Sequence, residues 1–160
     1  RRLLLGDETR CKVRRRDRAM TFDDLARSYL EKATKRRRVL QVLLEEEAYS
    51  DVVHKAQELV ELAFKGMLRA IGVDPPKWHD VGPVLIEQVD SFDEHIHAVI
   101  PQLAAISGWL RKEREFAFYG DIDFIPTDQY TRDDAQRAMA DALFVLEHAA
   151  LVIADAGTDR

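Results

Sequence analysis

The chain has 160 residues, 46% hydrophobic and 33% charged, with a formal net charge of −5, enough for one domain that buries a core. The single Cys11 excludes an intramolecular disulfide and a cysteine zinc site. No apolar run approaches the ~18 residues of a membrane span, and the apolar block in RRLLLGDET is too short for a secretory signal, so a cytoplasmic protein without membrane association is expected.

Residues 1–19 carry eight basic and three acidic side chains, a net +5, whereas the rest carries sixteen basic and twenty-six acidic, a net −10. A basic arm on an acidic body fits a nucleic-acid-binding tail, and also upstream sequence before Met20. The arm has no aromatics and no apolar periodicity, which favours the second reading and predicts an undocked segment. The domain is then residues 20–156, with 157–160 as a tail. Seven Gly and five Pro among long charged–apolar stretches predict an all-α protein.

Thr21-Phe-Asp-Asp24 reads as a capping box, opening a helix through Phe22, Leu25, Tyr29, Ala33, Leu40, Leu43 and Leu44. Its basic middle, Lys35–Arg38, is expected to face water. A break at Glu47–Ser50 leads to a helix from Asp51 to Ile71, ended by Gly72 and Pro75-Pro76. Val52, Val53, Ala56, Leu59, Val60, Ala63, Phe64 and Met67 form its apolar arc. His54, Glu58, Glu61, Lys65 and Arg69 form the opposite, polar stripe, with Leu62 and Leu68 as exposed leucines on that side.

His79 to Gln88 is expected as a short helix with Asp80 favouring its N-terminus. Ser91-Phe-Asp-Glu94 reads as a second capping box, after which Pro101 kinks or restarts a helix that continues to about Phe118. Thr131-Arg-Asp-Asp134 opens the last helix, which runs to Ala156. Its apolar residues go all the way round. Phe144, Val145, Leu151 and Val152 fall off the core face, which predicts a homodimer built on this helix and the one before it.

Asp51/His54 and Glu94/His97 have the carboxylate-x-x-His spacing of di-iron bundles. The further carboxylates such a site needs, among Glu45 to Glu47 and Glu147, show no core-facing pattern, and Asp51 and His54 lie on the polar arc, so no metal is expected. No Gly-rich phosphate loop and no nucleophile elbow is present, and no cofactor is implied. His148, among alanines and leucines, reads as a packing or surface residue rather than a ligand.

Arg114 stands apart. Leu103, Ile106, Leu110 and Ala117 form the core stripe of their helix, and Arg114 lies at its edge, where an unpaired guanidinium is costly. It must meet a carboxylate such as Glu113, Glu115 or Asp121, cap backbone carbonyls, or line an anion-binding cleft, for which its planar fork is suited. Tyr119 follows five residues later, roughly 140° round a regular helix, so the two converge only if the helix unwinds or a dimer brings them together.

AYSDVVHKAQELVELAFKGMLRAIG (48–72), PPKWHDVGPVL (75–85), LRKEREFAFYGD (110–121) and YTRDDAQRAMADA (130–142) occur in an order that resembles the HEPN (higher eukaryotes and prokaryotes nucleotide-binding) domain family. The resemblance runs from Thr21 to about Ile153. It implies an up-and-down bundle of about four or five helices that dimerises. It further implies a nucleotide- or RNA-binding site at Arg114, Tyr119, Glu115 and Asp121. Ribonucleolytic members carry Arg-x4-6-His; here Arg114 and the polar Glu115 match, but Tyr119 holds the histidine position. A phenol with a pKa near 10 is a poor proton-transfer group at neutral pH. Three functions follow from the resemblance: a binding module acting with a partner such as a minimal nucleotidyltransferase in a toxin–antitoxin pair, a metal-independent endoribonuclease with Arg114 and Tyr119 catalytic, or an interaction scaffold in which Arg114 is structural.

Overall fold

The computed structural model describes residues 22–156. The basic arm 1–19, the Thr21 cap and the tail 157–160 lie outside the described residues. Four long helices form the bundle: α1 (Phe22–Glu45), α2 (Tyr49–Ala70), α5 (Ile100–Phe118) and α7 (Arg132–Ala156). Short helices α3 (Gly82–Glu87), α4 (Glu94–His97) and α6 (Pro126–Gln129) and a 3-10 turn at Val89–Ser91 lie in the connections. Among the described residues there is no strand, and no helix is long and apolar enough to cross a membrane. The all-α bundle is as the sequence predicts.

α1 buries Ala26, Ala33 and Leu40, one residue every two turns, with Leu30, Leu43 and Leu44 packed partly against the core. The chain reverses at Glu47, whose φ of 59° places a non-glycine residue in the left-handed region, while Ala48 N–H donates to Leu43 C=O at 2.9 Å. α2 is the centre of the molecule and packs against α1, α7 and α5. Gly66 lets α1 and α7 pack tightly on α2, since a Cβ there would lie 3.0 Å from Ile153 Cδ1 and 3.3 Å from the Ala26 carbonyl.

Being covered on three sides, α2 has no broad polar face. Leu68 is fully buried and Leu62 packs partly against the core, although both were expected in water. His54 and Gln57 are also buried, which overturns the polar placement of His54. The helix expected from His79 begins only at Gly82, because His79 Nδ1 turns back to Glu61 (2.8 Å) and Asp80 accepts from Ser107 Oγ (3.4 Å). The Ser91 box does not form: Asp93 holds the N-cap position of α4 without a side-chain bond, and Ser91 sits in the 3-10 turn. α5 then starts afresh with Pro101 in its first turn, where a missing N–H costs nothing.

The third box does form. Thr131 N–H donates to Asp134 Oδ2 at 2.8 Å, and Asp134 N–H donates to Thr131 Oγ1 at 3.3 Å. α7 packs on α2 and α1, and Val145 and Val152 are buried inside the one chain. They are core residues, not the uncovered surface from which a homodimer was expected; Leu151 remains exposed.

Candidate functional site

α5 presents Leu103, Ile106, Leu110 and Ala117 to the core, as its periodicity predicts. Trp109 Nε1–H donates to Asp141 Oδ2 on α7 at 2.9 Å, and the Arg137 guanidinium lies 4.3 Å over the indole ring, which fixes the helix against its neighbour. Arg114 is one turn beyond Leu110 and half-buried. Among the described residues it has no hydrogen bond and no carboxylate within 4.0 Å.

Two of the three expected partners are engaged elsewhere. Glu113 accepts from the Tyr130 hydroxyl at 2.8 Å, and burial together with that carboxylate pushes the phenol well above its usual pKa. Asp121 accepts from the Ile122 N–H at 2.7 Å, inside a tight turn bridged to Phe124. The Glu115 side chain lies outside what is described. The turn depends on Gly120, at φ 69°, where a Cβ would lie 2.5 Å from the Phe124 carbonyl oxygen. α5 stays regular to Phe118, and Tyr119 leaves it 79% exposed. Its ring contact is with Phe118, edge-on at 4.6 Å; no described contact joins Tyr119 to Arg114.

The side chain that does meet this end of α5 is His54. Its ring faces that of Phe118 with centroids 4.6 Å apart, and only 7% of the residue is exposed. Phe118 is four residues after Arg114, so both project from one face of α5 toward α2. His54 Nε2 lies 3.9 Å from Glu58 Oε1, and Nδ1 is buried without a hydrogen-bond partner among the described residues. Burial lowers the His54 pKa; Glu58 and Asp51 work against this, while the charges of Lys55 and Arg114 add to it. Glu58 also takes Lys55 Nζ at 3.0 Å and Arg36 Nε of α1 at 3.6 Å. Arg36 is therefore not part of a wholly solvated basic turn. Three helices thus bring Arg36, Lys55 and Arg114 around one carboxylate and one neutral imidazole.

Phe118 and Tyr119 are exposed beside this cluster, whereas Phe116, on the other side of α5, packs on Phe124. The sequence marked Arg114 and Tyr119 but missed His54. The available signal was Leu62 and Leu68: apolar residues on the supposed wet side of α2 announce a neighbour there. The two carboxylate-x-x-His pairs do not assemble. Asp51 is exposed while His54 is buried, and His97 Nε2 lies 2.7 Å from the Phe92 carbonyl. The described residues do group Asp93, His95 and Asp155 at the surface, with His95 Nε2 3.5 Å from Asp155. His148, as expected, is a packing residue: Nδ1 meets the Phe144 carbonyl at 2.8 Å.

Residues 26–151 match the family model described as HEPN domain. The chain is 28% identical over 129 residues to a Methanocaldococcus jannaschii protein named "Putative toxin MJ1304", an overlap that covers 76% of this chain and 84% of that protein. No solved structure matches the chain significantly.

Proposed function

The chain belongs to the HEPN domain family, and on that premise we propose that it is a toxin-associated module that binds the phosphate of a nucleotide or RNA through Arg114. The observation that carries this reading is that Arg114 has no hydrogen bond and no ion pair among the described residues. A half-buried guanidinium without a described carboxylate partner has lost part of its hydration and gained no counter-ion. A phosphate accepting its two parallel N–H donors supplies both. Arg36 and Lys55 nearby add attraction for an anion, and the exposed Tyr119 offers a face on which a base stacks.

The toxin association is supported by the name of the archaeal relative. The partner we propose is a minimal nucleotidyltransferase acting as the antitoxin side. Titration of a short RNA and of a mononucleotide into purified protein tests the binding: Arg114→Ala abolishes it and leaves the unfolding midpoint nearly unchanged. Unchanged binding by Arg114→Ala refutes the reading.

A further inference from the structure

Resting on that reading, we propose that Arg114 is one half of a nucleotide-phosphate site whose other half is His54, an imidazole of α2 covered by Phe118 that donates from Nδ1 to the phosphate anchored by Arg114.

Three independent observations meet at this ring. A buried polar atom without a hydrogen-bond partner is rare in a folded protein, and His54 Nδ1 is one, in a residue only 7% exposed. A ligand oxygen arriving at the ring removes that deficit. Its cover is light: Phe118 is the last residue of α5 and is itself 53% exposed, so a change of one side-chain rotamer uncovers the imidazole without disturbing a packed helix. Arg114, one turn earlier on the same helix face, stands without a described partner.

The charges facing the ring fit an incoming anion. Asp51, Lys55 and Glu58 act from α2 and Arg114 from α5, while Arg36 of α1 is held on Glu58. Burial and the cations keep the ring neutral in the free protein, with one nitrogen protonated and able to donate. A bound phosphate reverses this balance and draws a second proton to the ring. The exposed Tyr119, edge-on to Phe118, favours a nucleotide over free phosphate, because only the nucleotide brings a base to stack.

The test uses the full chain, with AMP, a short RNA and inorganic phosphate as probes. His54→Leu weakens AMP binding at least about ten-fold, the loss of one charge-assisted hydrogen bond, while Phe118→Ala tightens it by opening the site. In the unaltered protein, AMP moves the His54 ring resonances and raises the pH at which the ring titrates. Unmoved ring resonances at saturating AMP overturn the proposal, and this measurement holds even if His54→Leu fails to fold. Inorganic phosphate binding as tightly as AMP overturns the nucleotide assignment. Loss of binding in Arg114→Ala with none in His54→Leu removes His54 alone, whereas unchanged binding in Arg114→Ala removes the parent reading as well.

Discussion

His54 enters the α2–α5 seam as a neutral ring because burial outweighs the attraction of Glu58, with Lys55 and Arg114 adding to the effect. In the unfolded chain the same ring titrates near its ordinary 6.5. Below that pH the unfolded chain takes up a proton that the folded ring refuses. The His54 contribution to stability is therefore complete above pH 6.5 and is lost as the pH falls through the lower folded value. Melting temperatures measured across this range fall on the acid side, and fall less steeply in His54→Leu. An identical pH profile in the two proteins contradicts the neutral, buried ring. Gly120 is the other residue with a demand that no substitute meets. Gly120→Ala combines a positive φ with a collision at the Phe124 carbonyl, and chemical denaturation should report a loss of about 1–3 kcal/mol.

Among the elements, the two capping motifs have the same form and different fates. Thr131 and Asp134 bond each other's backbone N–H groups, so Thr131→Ala costs about 1 kcal/mol in urea unfolding. Ser91 makes no cap, since the chain there is already turned by the 3-10 segment, and Ser91→Ala stays within about 0.5 kcal/mol of the parent. Equal losses in the two variants contradict this contrast. α5 shows a similar division along its own length. Leu110 is fully buried and Leu110→Ala costs about 2–5 kcal/mol, whereas Arg114→Ala, one turn on, strands no described carboxylate and costs under about 1 kcal/mol. A loss of about 3–5 kcal/mol at Arg114 instead marks half of a buried ion pair.

For the whole molecule, the placement of α2 between α1, α5 and α7 is the organising fact. It makes one chain sufficient to cover most of the apolar arc of α7, including Val145 and Val152. Val145→Ala therefore lowers stability by about 1–3 kcal/mol, and the loss does not vary with protein concentration when melting is followed over a wide dilution range. A loss that grows on dilution returns Val145 to an interface between copies.

What the sequence determined by itself is whatever depends on local period and local chemistry. The 3.6-residue spacing of Leu103, Ile106, Leu110 and Ala117 marks the buried face of α5, the Thr131 box opens α7, and Arg114 shows as a charge where the pattern calls for an apolar residue. Each of these is decided by neighbours within a turn or two. Which side of a helix is wet is decided by what packs against it, and that is a long-range property. Only the tertiary structure could bury His54, Gln57 and Leu68 on the polar stripe of α2, turn His79 back onto Glu61, and engage Glu113 with Tyr130 so that Arg114 is left without it. The pairing of His54 with the Phe118 and Arg114 face joins residues more than fifty positions apart. No periodicity reaches that far; the contact exists because α2 is wrapped on three sides and α5 closes the third.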